Sequence, residues 1–121
     1  MKDQKQRVQV QSPSQAEIDN MLASYQRGQF EMAQNLALSI TQKFPNHQFS
    51  WKVLGAAFWQ TGQMEDALIA NEKAVMLDPK DADAHNNLGV TLEELGRLEE
   101  AEASYTQAIA LKSGYASAHR H

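Results

Sequence analysis

The sequence contains no cysteine. This excludes a disulfide framework, a thiolate metal site and a thiol nucleophile, while leaving every compartment open. Long apolar runs are also missing. None approaches the ~20 residues that span a bilayer, and the opening MKDQKQRVQVQ lacks the apolar stretch of a secretory signal. The expected location is therefore the cytoplasm, with no membrane partner. No basic stripe is present: 11 basic and 15 acidic residues give a net charge of −4, so nucleic acid is not an expected partner. Motifs for chemistry are absent as well. There is no G-x-S-x-G, no phosphate-cradling glycine loop and no H-E-x-x-H. No catalytic residue, metal site or cofactor is expected, and the chain is not read as an enzyme. Alternation with period two, the mark of strands, is missing over any useful length.

What is present is average in composition and periodic in arrangement. Apolar residues make up 42% and charged residues 21% of 121 positions, as in a folded soluble chain. The charge is uneven. Lys2, Lys5 and Arg7 against Asp3 make the first segment basic, whereas 82–115 carries six acids against Arg97 and Lys112. The chain also repeats itself with a period of 34 residues: Leu54, Gly55, Gly62, Ala67, Ala74 and Leu77 return as Leu88, Gly89, Gly96, Ala101, Ala108 and Leu111. That length belongs to arrays of helical hairpins. A looser copy lies upstream, with Gly28, Ala33 and Pro45 one period before Gly62, Ala67 and Pro79.

Each copy reads as two helices. Trp51, Leu54, Gly55 and Phe58 fall at i, i+3, i+4 and i+7, on one helical face. Gly62 interrupts, a second apolar stripe runs from Met64 to Leu77, and Pro79 stops it. The recurring small residues allow two helices to approach closely, and the glycine between them suits a turn with positive φ. Ser14-x-x-Glu17 fits a capping box, with Ser12-Pro13 a competing start. Asp81 is placed to cap the fifth helix, with Asp83 in its first turn. The pattern predicts helices at about 15–27, 30–43, 48–61, 64–77, 82–95 and 98–111.

The stretch WKVLGAAFWQTGQMEDALIANEKAVMLDP resembles a tetratricopeptide repeat, whose pattern runs W-x-x-L-G-x-x-F/Y and then G, A, A and P. HNNLGVTLEELGRLEEAEASYTQAIALKS keeps that pattern with His85 for the tryptophan and Ser113 for the proline. The first copy, IDNMLASYQRGQFEMAQNLALSITQKFP, diverges and has Met21 at the repeat glycine. The resemblance implies an all-α fold of three antiparallel helix-turn-helix hairpins stacked in a right-handed superhelix. The expected division is a disordered tail at 1–13, a divergent first repeat at 14–47, a second at 48–81 and a third at 82–115. Residues 116–121 then begin a truncated fourth repeat or form a tail.

Such arrays act as scaffolds that hold a peptide or partner segment in a concave groove lined by the first helix of each pair. By register with the family, the first hairpin contributes Ile18, Leu22 and Tyr25. The second contributes Phe49, Lys52, Ala56, Trp59 and Gln60, and the third Asp83, Asn86, Asn87, Val90 and Glu93. This surface is apolar at one end and acidic at the other. The subclass that clamps chaperone C-termini with basic residues and asparagines is disfavoured. Only Lys52 and Asn86 or Asn87 fit it, and Ile18 and Leu22 occupy clamp-like positions. The run AHNNLGVTLEELGRLEEAEASY also resembles the repeats that precede the catalytic domain of O-GlcNAc-transferase-like proteins. There an asparagine at the position of Asn87 recurs and grips a peptide backbone; here Val53 and Asp19 stand in the equivalent places.

The remaining features have plainer readings. His85 is expected to pack in place of tryptophan, and His119 and His121, at i, i+2, do not share a helix face as a metal pair would. Glu93, Glu94, Glu99, Glu100 and Glu102 read as a solvated face rather than an acid–base pair, which needs a closed pocket. Trp59 lies roughly 100° round the helix from Phe58, and two readings stay open for it: groove lining or packing against the neighbouring hairpin. No polar capping helix closes the array. Two alternatives to a free-standing scaffold therefore stand: the N-terminal substrate-docking segment of a larger enzyme such as a glycosyltransferase, and a homo-oligomer formed through the uncapped last hairpin.

Overall fold

The computed structural model describes the backbone of residues 12–120 and the side chains of 12–113. Over that range the chain forms six helices: α1 Gln15–Gln26, α2 Phe30–Lys43, α3 Gln48–Gln60, α4 Met64–Leu77, α5 Ala82–Glu94 and α6 Leu98–Arg120. Five of them start and stop within one residue of the positions the sequence predicts. Each helix packs on its sequence neighbour, and α3 also touches α1 and α5. The first helices of the three hairpins thus line up as one layer and the second helices as another. No helix of the described residues is long and apolar enough to cross a membrane.

Local chemistry sets these boundaries. At the start of α1, Glu17 N–H donates to Ser14 Oγ (3.1 Å) and Ser14 N–H donates to Glu17 Oε1 (3.0 Å), so two backbone donors are satisfied reciprocally. Ser14 rather than Ser12 is the cap. Lys43 Nζ donates to the same Glu17 carboxylate at 2.9 Å. Together with the Ser14 bonds it holds that group at about 2. Asp81 caps α5 by accepting from Ala84 N–H at 3.2 Å. Between the helices of each pair, Gly28, Gly62 and Gly96 take φ of 78°, 81° and 78°, a region that costs an L side chain about 1 kcal/mol or more.

The small residues lie where the helices meet. Ala33, Ala37, Ala67, Ala74 and Ala101 are all buried. The larger core cluster joins α1 to α4 through Met21, Ile40, Leu54, Phe58 and Ala67; the smaller one joins α4 to α6 through Leu68, Leu92 and Ala101. Met21, at the divergent glycine position of the first copy, is completely buried. A flexible thioether fills the space there that close helix approach closes elsewhere.

His85 does more than fill the place of a tryptophan. Trp51 Nε1 donates to Pro45 O at 2.8 Å, and His85 Nε2 lies 2.8 Å from Pro79 O. The imidazole reproduces the indole's tie to the preceding loop, with its proton on Nε2.

One boundary differs from expectation. The last helix does not stop near Leu111 but runs on to Arg120. Ser113 stands one period after Pro79, and serine neither removes an N–H nor clashes with the preceding turn as proline does. The backbone of 116–120 is therefore helical and continuous with the third copy. The tail at 1–11, His121 and the His119 side chain lie outside the described residues.

Candidate functional site

The layer of first helices carries a half-open cavity of about 150 Å³. Its rim comes from all three hairpins: Tyr25 on α1, Ala56 and Trp59 on α3, and Asn87 and Val90 on α5. These five belong to the set expected from sequence. The cavity is completed by Gly55, Asn71 and Thr91, which the sequence reading did not include.

The other expected residues do not line the cavity. Ile18 and Leu22 are half-buried on α1, while Phe49, Gln60, Asp83, Asn86 and Glu93 are exposed. Gln60 Nε2 reaches Tyr25 Oη at 3.5 Å, and Glu93 accepts from Tyr105 O–H at 2.8 Å. Asp83 lies 3.9 Å from Lys112 with both side chains well exposed, an arrangement of little energetic weight. Lys52 is committed elsewhere. Its ammonium donates to Asp81 Oδ2 at 2.8 Å, and Gln48 Nε2 donates to the same oxygen at 2.9 Å. Burial alone would raise the Asp81 carboxyl. The bonds from Lys52, Gln48 and the Ala84 N–H outweigh it and hold the group at about 2. This cluster ties the second hairpin to the start of the third.

Asn71, on α4, is 3% exposed. Its Nδ2 donates to Thr91 Oγ1 at 2.8 Å and lies 3.5 Å from Asn87 O. The Thr91 hydroxyl proton is already used, because Thr91 Oγ1 donates to Asn87 O at 3.1 Å. Both groups facing that end of Asn71 are therefore acceptors, which fixes the amide with its nitrogen towards them. Oδ1 is left on the other side, against Gly55, where an added Cβ would collide with it. Among the described residues Oδ1 accepts no hydrogen bond. Trp59 Nε1 is buried without an acceptor. Trp59 lines the cavity and also packs against the core cluster of α1 to α4.

A signal for this cavity was present in the repeat. Asn71 lies one period before Tyr105, whose ring covers Gly89 with its nearest carbon 2.8 Å from the site of a Cβ. An amide where the next copy has an aromatic ring marks a shorter side chain against a helical glycine. The acidic run Glu93, Glu94, Glu99, Glu100 and Glu102 is exposed, and Arg97 pairs with Glu100 at its edge. Among the described residues no three His, Cys, Asp or Glu side chains gather as a metal site would need.

The tetratricopeptide repeat model matches residues 82–115, and a second model, described as TPR repeat, matches 55–96. The chain belongs to the tetratricopeptide repeat family. Over 58 residues it is 41% identical to the protein O-mannosyl-transferase Tmtc3 of Drosophila melanogaster, which covers 48% of this chain and 6% of that protein. A MamA structure, the RS-1 ArsTM double mutant, superposes with a TM-score of 0.81 at 22% identity, over 84% of this chain and 57% of that one. The second TPR of Spaghetti (RPAP3), bound to the HSP90 peptide SRMEEVD, superposes with a TM-score of 0.76 at 20% identity, over 79% of this chain and 89% of that one. The chain thus spans just over half of the MamA chain and a small part of the transferase.

Proposed function

We propose that the chain is a protein-interaction module that binds a peptide or partner segment across the first helices of its three hairpins. The observation that carries this reading is the shared cavity: Tyr25, Trp59 and Val90 come from α1, α3 and α5 and meet around one opening. A preformed recess with an apolar rim and a few polar atoms is the usual form of a side-chain anchor site. The face is graded, with Ile18 and Leu22 at one end and Asp83 and Glu93 at the other. An apolar segment followed by a basic one matches it. Chaperone-tail capture is not favoured, because Lys52, its one basic candidate, is bonded to Asp81.

The test is selection of peptides from a random display library on the full chain, followed by titration of the selected peptide. Val90→Lys places a charge at the cavity rim and should reduce binding at least tenfold while the helical circular dichroism stays unchanged. Undiminished binding to that variant would place the partner on another face.

A second reading has one observation behind it: the match to Tmtc3 falls within a far longer transferase. An array that docks substrates for a catalytic domain would use the same face, and the complete reading frame of the gene decides between the two.

A further inference from the structure

Resting on that reading of the face, we propose that the cavity at Asn71 is a receptor for one tyrosine side chain of the partner. The third hairpin supplies the template. There the Tyr105 ring lies over Gly89 and its hydroxyl reaches Glu93, one turn further along α5. One period earlier the same path runs from Gly55 to Trp59 along α3. Asn71 covers only its beginning, and the remainder is the cavity bounded by Gly55, Ala56 and Trp59. The second hairpin therefore has the bed for an aromatic ring but not the ring. Its volume of about 150 Å³ is of the size that accepts a benzene molecule.

The polar atoms narrow the occupant further. Asn71 Oδ1 is an acceptor without a donor, in a side chain only 3% exposed and held in orientation by Thr91 and Asn87. A neutral donor complements it, whereas a carboxylate only accepts. A carboxylate or an ammonium would also be desolvated without a counter-ion. Serine and threonine carry a hydroxyl but leave the recess unfilled. Phenylalanine fills it but leaves Oδ1 unpaired. The phenol of tyrosine meets both requirements.

The experiment titrates the full ¹⁵N-labelled chain with N-acetyl-tyrosinamide and with N-acetyl-phenylalaninamide at millimolar concentration. The Trp59 indole and Asn71 side-chain amide signals are followed by NMR. The tyrosine probe should shift both and bind about fivefold more tightly than the phenylalanine probe, the effect of one neutral hydrogen bond. Asn71→Tyr, which puts into this hairpin the ring that Tyr105 puts into the next, should fold and abolish the shifts. Asn71→Leu, which keeps the bulk and removes the oxygen, should equalise the two probes. Absence of shifts, equal binding of both probes to the unaltered chain, or undiminished binding to Asn71→Tyr would each overturn the proposal. Failure here is distinct from failure of the broader reading. Library peptides that lack tyrosine, bind Asn71→Tyr normally and are lost on Val90→Lys would leave the peptide-binding face intact and remove the tyrosine receptor.

Discussion

Asn71 Nδ2 donates to Thr91 Oγ1 across 2.8 Å, between the second helix of one hairpin and the first helix of the next. Both side chains are nearly inaccessible, so the bond forms where water cannot replace either partner. An unmade bond at such a site leaves a desolvated group, which costs about 1–3 kcal/mol. Asn71→Ala and Thr91→Val should each destabilise the chain in urea unfolding by about that amount. The double variant should lose less than the sum, with a coupling of about 1 kcal/mol. Additive losses would mean that the two side chains act independently.

Gly55 faces the same amide from the other side. Alanine favours a helix over glycine by about 1 kcal/mol, so Gly55→Ala would be stabilising on an open surface. Here the new methyl meets Asn71 Oδ1, and that amide cannot swing away without breaking its bonds to Thr91 and Asn87. Overpacking of this kind costs about 1–3 kcal/mol. Gly55→Ala is therefore expected to lower stability in the unaltered chain and to be neutral or stabilising when Asn71 is also alanine. Thermal melts of the four proteins show the reversal of sign.

Much of the fold is legible in the sequence because its signals are local. Ser14, Asp81, the turn glycines and the buried alanines act within a few residues or at a repeating helix contact, and the period of 34 carries them from copy to copy. The cavity was less legible. Five of its residues follow from the register of the first helices, but Asn71 comes from α4, a second helix, where a repeat-based reading expects only packing. Asn71 becomes informative only when set beside Tyr105 and Gly55. The length of α6 is less legible for a similar reason: the signal is the absence of a proline at Ser113, while Tyr115-Ala-Ser-Ala-His, one period after Asp81-Ala-Asp-Ala-His, reads as a new start.

Asp81 makes the chain sensitive to acid. Its folded value of about 2 lies below the ordinary 3.8, so the group contributes stability above pH ~4 and loses it as the pH falls towards 2. The contribution above that window is about 2 kcal/mol at most. Asp81→Asn keeps the cap on Ala84 N–H and removes the charge opposite Lys52. Urea melts at pH 7 should show the variant less stable by about 1–2 kcal/mol, and the gap should close between pH 4 and pH 2. A gap that persists at pH 2 would mean that the loss is steric rather than electrostatic.

Leu98 and Ile109 on α6 are each more than half exposed. Binding across the first helices does not require this outer surface to be covered, so light scattering is expected to give a monomer mass over a hundredfold concentration range. A dimer dispersed by Ile109→Glu would instead show that the last hairpin is closed by a second copy.

Trp59 separates binding from folding. Its ring lines the cavity and also leans on the cluster that contains Met21, Leu54 and Phe58. Truncation removes apolar contact from both. The ring is only partly buried, so Trp59→Ala should cost less than the 3–5 kcal/mol typical of a fully buried aromatic. Far-ultraviolet circular dichroism at 20 °C should be unchanged and the melting temperature lower. An anchor residue at the centre of a binding face contributes more than ~1 kcal/mol when truncated, so a peptide selected on the unaltered chain should bind the variant at least about fivefold more weakly. Trp59→Phe restores most of the apolar contact with the cluster but not the indole N–H. Recovery of the melting temperature without recovery of affinity would assign the packing role to any aromatic ring and the binding role to the wider indole. Recovery of both would make Trp59 an apolar anchor alone.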